Sequence, residues 1–240
     1  MNNDVSKILS NVTIPTAKPL PIILLLDVSG SMTENGKIVQ LNNAVREMIE
    51  SFSDNETLLA KISVAIITFG GSSAKIHQEL IDSDKVVWSD MIAEGMTPMG
   101  DAIRIAKEMI EDRSKLNNTY RPTIILVSDG MPNDNGWEKE IEKFTTEGRS
   151  AKCVRMAMGI GVPSGTNEYE VLRQFVGDPE MVFTADAASD IKKFFRYVSS
   201  TTSQLTHSNN VEETRKTFPK PCEIQSIISD DDAFSIGNMI

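Results

Sequence analysis

The sequence predicts a doubly wound α/β fold: a mostly parallel central sheet with one antiparallel edge strand and helices on both faces. Three observations predict it. Short apolar runs recur at Ile22–Leu26, 62–69 and 123–127, the signature of strands covered on both faces. Segments of helical period separate them, so the strands alternate with crossover helices. The chain of 240 residues is long enough to bury a large core without staples.

The elements follow in order. Pro21-Ile-Ile-Leu-Leu-Leu-Asp27 is the first strand and stops at an acid. After the turn dipeptide Asn35-Gly36, Ile38, Leu41, Val45, Met48 and Phe52 repeat at helical spacing over 37–52. Residues 62–69 form the second strand. Gly70-Gly71 then turns the chain into 74–81, where Ile76, Gln78 and Leu80 share one face, as in a half-exposed edge strand. Beyond the loop 95–100, Ala102, Ile105, Ala106, Met109 and Ile110 line a helix; Thr123–Val127 is the next buried strand. A helix from Trp137 to Gly148, a strand over 152–160, a helix over 167–176, a short strand over 181–183 and a helix over 188–204 complete the order. Residues 1–18 read as an N-terminal arm, 19–206 as one domain, and 207–240, where periodicity fails, as an acidic flexible tail.

Composition excludes several classes. A net charge of -10 disfavours nucleic-acid binding, which needs clustered Lys and Arg, and polybasic attachment to a membrane surface. The longest aliphatic run is five residues against the ~20 of a membrane span. No leader-like segment opens the chain, so a cytoplasmic location is expected. Cys153 and Cys222 are too few for a disulfide framework or a four-Cys zinc site and read as free thiols.

In doubly wound sheets, ligands bind beyond the carboxyl ends of the strands. Asp27, Ser29 and Ser31 follow the first strand, Asp129 follows the strand at 123–127, and Thr97 precedes a helix. All are oxygen donors, with no His or thiolate among them. Such a set suits Mg²⁺, Mn²⁺ or Ca²⁺ rather than zinc. Each also has an ordinary structural role: Asp27 capping a turn, the serines bonding their own backbone, Thr97 capping the helix ahead of Pro98, and Asp129-Gly130 forming a turn.

The arrangement resembles the metal-ion-dependent adhesion site of von Willebrand factor A (VWA) domains: Asp-x-Ser-x-Ser as DVSGS at 27–31, Thr in GMTPMGDA at 95–102, and Asp in SDG at 128–130. The resemblance implies that Ser29 and Ser31 ligate a metal directly. It implies that Asp27 and Asp129 do so directly or through water, and that Thr97 joins when a ligand binds. It further implies a non-enzymatic adaptor whose metal accepts an Asp or Glu carboxylate from a protein partner. The flanks LLLDVSGSM, ITF at 67–69, GMTPMGDAI and SDGMPNDNGW look most like the TerY-like proteins of tellurium resistance. That narrower resemblance suggests a kinase or phosphatase partner in a stress-response or phage-defence module. The Cys-rich zinc segment of some such relatives is absent after residue 206, where only Cys222 stands.

Two alternatives stand beside this reading: a metal-dependent phosphoester hydrolase, and a structural subunit with a vestigial site. The Asp pair of a haloacid-dehalogenase phosphatase is broken by Ser29, and no P-loop or complete G-x-G-x-x-G is present. Met32, Met96, Met99 and Met131 on the site loops suggest an adaptable contact surface. In the tail, Ser229-Asp230-Asp231-Asp232 suggests an internal pseudo-ligand, and Ser226 or Ser229 a phosphorylation site, beside the plainer reading of a solvated terminus.

Overall fold

The computed structural model describes residues 17–54, 60–186, 188–221 and 223. Among these residues six strands form one sheet: β1 (Lys18–Asp27), β2 (Ala60–Gly70), β3 (Ser73–Asp82), β4 (Thr123–Ser128), β5 (Val154–Ile160) and β6 (Val182–Ala185). Their spatial order is β3-β2-β1-β4-β5-β6. β3 pairs antiparallel with β2 and every other pair is parallel. The expected sheet, with its single antiparallel edge strand, is the one found. Gly71, at φ +62, turns the chain between β2 and β3.

Helices α1 (Lys37–Asp54), α2 (Met99–Glu111), α3 (Trp137–Thr146), α4 (Asn167–Val176) and α5 (Ala188–Thr206) cover the sheet. Alternation along β1 divides the core. Ile22, Leu24 and Leu26 pack with α1 and α5 residues such as Leu41, Val45, Ile191 and Phe194. Ile23 and Leu25 pack on the other face with Ile103 and Ala106 of α2, Phe144 of α3 and Phe175 of α4. Each fully buried aliphatic side chain contributes roughly 1.5–3 kcal/mol relative to exposure, so the apolar run of β1 anchors both layers.

β1 begins earlier than the sequence predicts and includes Pro19 and Pro21. Proline is disfavoured in a central strand because it cannot donate to the ladder. Here β1 pairs with β2 from Lys18 onward but gains β4 only at Ile22, so both prolines precede the strand's second neighbour.

Described structure continues past the boundary expected at 206. A short helix, α6 (Val211–Arg215), follows α5. Val211 packs with Leu20, Leu205 and Phe218. Arg215 donates to the Thr123 hydroxyl and the Arg121 carbonyl, and Tyr197 donates to the Pro219 carbonyl at 2.9 Å. Residues 208–221 are therefore docked on the domain. Periodicity does not reveal this because so few of their side chains reach the core. The suggestions made for Ser226 and 229–232, most of the proposed 1–18 arm, and Cys222 lie outside the described residues. Among the described residues, Cys153 is a free, buried thiol. Burial pushes its pKa up to about 12, so it is inert as a nucleophile at neutral pH. No helix among the described residues is long and apolar enough to cross a membrane.

Candidate functional site

The strand order reverses between β1 and β4, which puts the ligand crevice of this fold beyond the ends of those two strands. Leu26 stands opposite Val127, so Asp27 and Ser128 emerge side by side. The Asp27 carboxylate is wholly buried. One oxygen accepts the Ser29 N–H at 2.8 Å and the other accepts the Ser128 hydroxyl at 2.6 Å. Burial pushes its pKa up to about 6; the hydrogen bonds from Ser128 and Ser29 oppose that rise, and the neighbouring Asp129 charge adds to it.

Ser29, Ser31 and Asp129 form a row. The Ser31 hydroxyl donates to Asp129 Oδ1 at 2.6 Å, and the Ser29 and Ser31 oxygens are 3.0 Å apart. The Ser31 proton goes to Asp129, and the Ser29 hydroxyl stands between Ser31 and the Asp27 carboxylate. The serines thus bond each other and a carboxylate, not their own backbone. Gly30 between them allows the loop to dock: its N–H donates to the Gly95 carbonyl at 3.0 Å.

The Thr97 loop is fixed by backbone bonds on both sides. Glu94 N–H donates to Val28 O, Gly71 N–H to Glu94 O, and Met96 N–H to Gly71 O. The Thr97 N–H donates to Asn133 Oδ1 at 2.9 Å, and Asn133 N–H returns a bond to the Thr97 carbonyl. Thr97 is therefore held between the Asp27–Ser31 loop and the loop that follows Asp129. Its hydroxyl does not cap α2. That service comes from Asp134, whose carboxylate accepts the N–H groups of Gly100 and Asp101 at 3.3 and 2.9 Å. The Thr97 hydroxyl is thus left free of the helix start.

The sequence reading missed four residues. Ser128 supports Asp27, Asn133 and Asp134 fix the Thr97 loop, and Lys37 places its ammonium 2.8 Å from Asp129 Oδ2. The first three lie within SDGMPNDNGW, where Asp129 and Met131 stand out in sequence but these partners do not. The methionines divide: Met32 and Met99 are core residues, while Met96 and Met131 are exposed beside the site. Trp137 is half-buried against α2, consistent with packing.

The donor set fits a hard divalent ion. Its hydroxyl and carboxylate oxygens are the hard ligands that such ions take, and Ser29, Ser31 and Asp129 stand within hydrogen-bond distance of one another. Among the described residues, no group of three or more His, Cys, Asp or Glu stands together.

A family model of the von Willebrand factor type A domain matches residues 22–197. The chain belongs to this family. Solved structures agree in fold. The pilus adhesin SpaC from Lactobacillus rhamnosus GG superposes with a TM-score of 0.64 at 14% identity, over 78% of this chain and 31% of that one. A von Willebrand factor type A protein from Catenulispora acidiphila gives 0.57 at 16% identity, over 78% and 43%. Proximal thread matrix protein 1 from the mussel byssus, in a form with a zinc-occupied MIDAS motif, gives 0.56 at 22% identity, over 78% and 46%. This chain thus spans less than half of each of these proteins. No curated protein sequence matches it.

In this VWA domain the Asp134 bridge joins two site loops, and its removal has a calculable cost. Asp134→Ala leaves two N–H groups at the start of α2 without their acceptor. It is expected to lower the unfolding free energy by about 1–2 kcal/mol, read by urea denaturation. An unchanged midpoint would show that water replaces the carboxylate without loss.

Proposed function

We propose that this VWA domain is a non-enzymatic, divalent-metal-dependent protein-binding module. The observation that carries the reading is the hydrogen-bonded row Ser29–Ser31–Asp129 at the switch point of the sheet, backed by the buried Asp27. Ser29 and Ser31 would hold the ion directly, and Asp27 and Asp129 directly or through water. Thr97, whose backbone is clamped while its hydroxyl is free of the helix start, would join them. Mg²⁺ suits the oxygen set best, and Mn²⁺ or Ca²⁺ also suits it.

A bound ion ligated largely by neutral hydroxyls stays electrophilic and accepts a carboxylate. The partner is thus a protein presenting Asp or Glu. The exposed Met96 and Met131 border the site and offer adaptable apolar contact around that acid. A hydrolase would need a proton-transferring group open to substrate. Both carboxylates here are buried and hydrogen-bonded, and His77 is engaged with the Ser89 carbonyl at 2.9 Å on the edge strand. The sequence flanks named above make a kinase or phosphatase of a cytoplasmic stress-response module the first partner to try. The support for that partner class is the flanking sequence alone.

The test is capture from lysate of the source cells on the immobilised full chain with Mg²⁺, followed by elution with EDTA. The expected result is a partner that EDTA releases and that an Asp27→Ala, Ser29→Ala double variant, folded by circular dichroism, does not capture. Retention that survives both EDTA and the substitutions would remove this site as the contact.

A further inference from the structure

Lys37 stands in an unfavourable place for a cation. It is the first residue of α1, at the positive end of the helix dipole, and the first turn of that helix holds no acid to offset it. Its side chain instead crosses to the loop after β4 and pairs with Asp129 Oδ2 at 2.8 Å, while Asp129 Oδ1 accepts Ser31. The Asp129 side chain is fully buried and that of Lys37 is 17% exposed. A buried carboxylate is costly without a partner charge, and Lys37 supplies one to Asp129 from a position 92 residues away in sequence. A tight turn leads into it: Asn35 and Gly36 adopt φ of +52 and +71, and the Lys37 N–H closes on the carbonyls of Met32 and Glu34.

We propose that Lys37 is a tethered counter-cation that competes with a divalent ion for Asp129 and so sets the metal affinity of the site. This rests on the metal-binding reading above. The charge count makes the competition consequential. Asp27, Asp129 and Lys37 together carry one net negative charge. A divalent ion turns this into one net positive charge, and that charge favours an incoming carboxylate. Without Lys37 the loaded site would be neutral. The lysine therefore weakens binding of the ion alone and strengthens capture of an acidic partner by the loaded site, which couples the two events.

The experiment is isothermal titration of Mn²⁺ into metal-stripped wild type, Lys37→Met and Lys37→Gln, with melting curves of each before and after Mn²⁺. Glutamine keeps a hydrogen bond to Asp129 without the charge. Both variants are expected to bind Mn²⁺ about tenfold tighter or more than wild type. Both should melt lower than wild type without metal and gain more on its addition. Equal or weaker Mn²⁺ binding by the variants, with wild type still binding, would overturn the role of Lys37 alone. Absence of Mn²⁺ binding in all three would overturn the metal reading and the competition with it. If Lys37→Met does not fold, Lys37→Gln gives the same comparison.

Discussion

Asp27→Asn is expected to make the metal-free protein more stable while abolishing its response to Mg²⁺. Asp27 is wholly buried, and its pKa in the fold is about 6 against an ordinary 3.8. The cause is loss of water around the carboxylate, only partly offset by the Ser128 and Ser29 hydrogen bonds. Between pH 3.8 and about 6 the folded chain holds a proton that the unfolded chain has released, so stability falls as pH rises through that window. The shift spans about two pH units, so ionised Asp27 costs up to roughly 3 kcal/mol at neutral pH. Asparagine keeps the shape and the acceptor for Ser29 but removes the charge. Urea denaturation at pH 7 without metal is expected to show a gain of about 1–3 kcal/mol, and Mg²⁺ should add nothing further. A variant less stable than wild type at pH 7 would show that the hydrogen bonds outweigh burial. Retention of a buried acid at this cost is understandable if a cation neutralises it.

Gly95→Ala is expected to be among the most damaging single-methyl changes in the domain. Gly95 has φ +67, and a Cβ there would lie 2.5 Å from the Gly71 Cα, with the Gly71 N and O both at 3.0 Å. Every obstructing atom is backbone, so no side chain can swing aside. The loop must move, and the bonds from Gly30 to Gly95 and between Gly71 and its neighbours Glu94 and Met96 move with it. The left-handed conformation costs about 1–2 kcal/mol for alanine, and overpacking adds about 1–3 kcal/mol. A total loss near 3–4 kcal/mol is therefore expected by urea denaturation, with weakened metal binding because Thr97 is displaced. Gly36→Ala is the control: φ is +71, but nothing lies within 4 Å of the added methyl. It should lose only the conformational part, about 1–2 kcal/mol. Equal losses in the two variants would show that the Gly95–Gly71 approach is not tight in solution.

The sheet was legible because its signal is local. A run such as Ile22–Leu26, short and bounded by Pro21 and Asp27, fits a strand covered on both faces, which is what the packing shows. The oxygen donors were legible for the same reason: each stands at a strand end or helix start that the sequence marks. What was not legible is pairing across the chain. Asp134 serves the start of α2 from 33 residues away, and Ser128 reaches Asp27 across 101. Lys37 reads in sequence as one more polar residue opening a helix. The contacts of 208–221 rest on a few anchors such as Val211 and Arg215, too few to leave a period.

The central claim is that the Ser29–Ser31–Asp129 row, with Asp27 and Thr97, holds a divalent ion. Isothermal titration of Mn²⁺ into the metal-stripped full chain and into a Ser29→Ala, Ser31→Ala variant tests it most directly. The account predicts about one ion per wild-type chain and no binding heat in the variant, with both proteins folded by circular dichroism. Equal binding by the variant, or none by wild type, would contradict it.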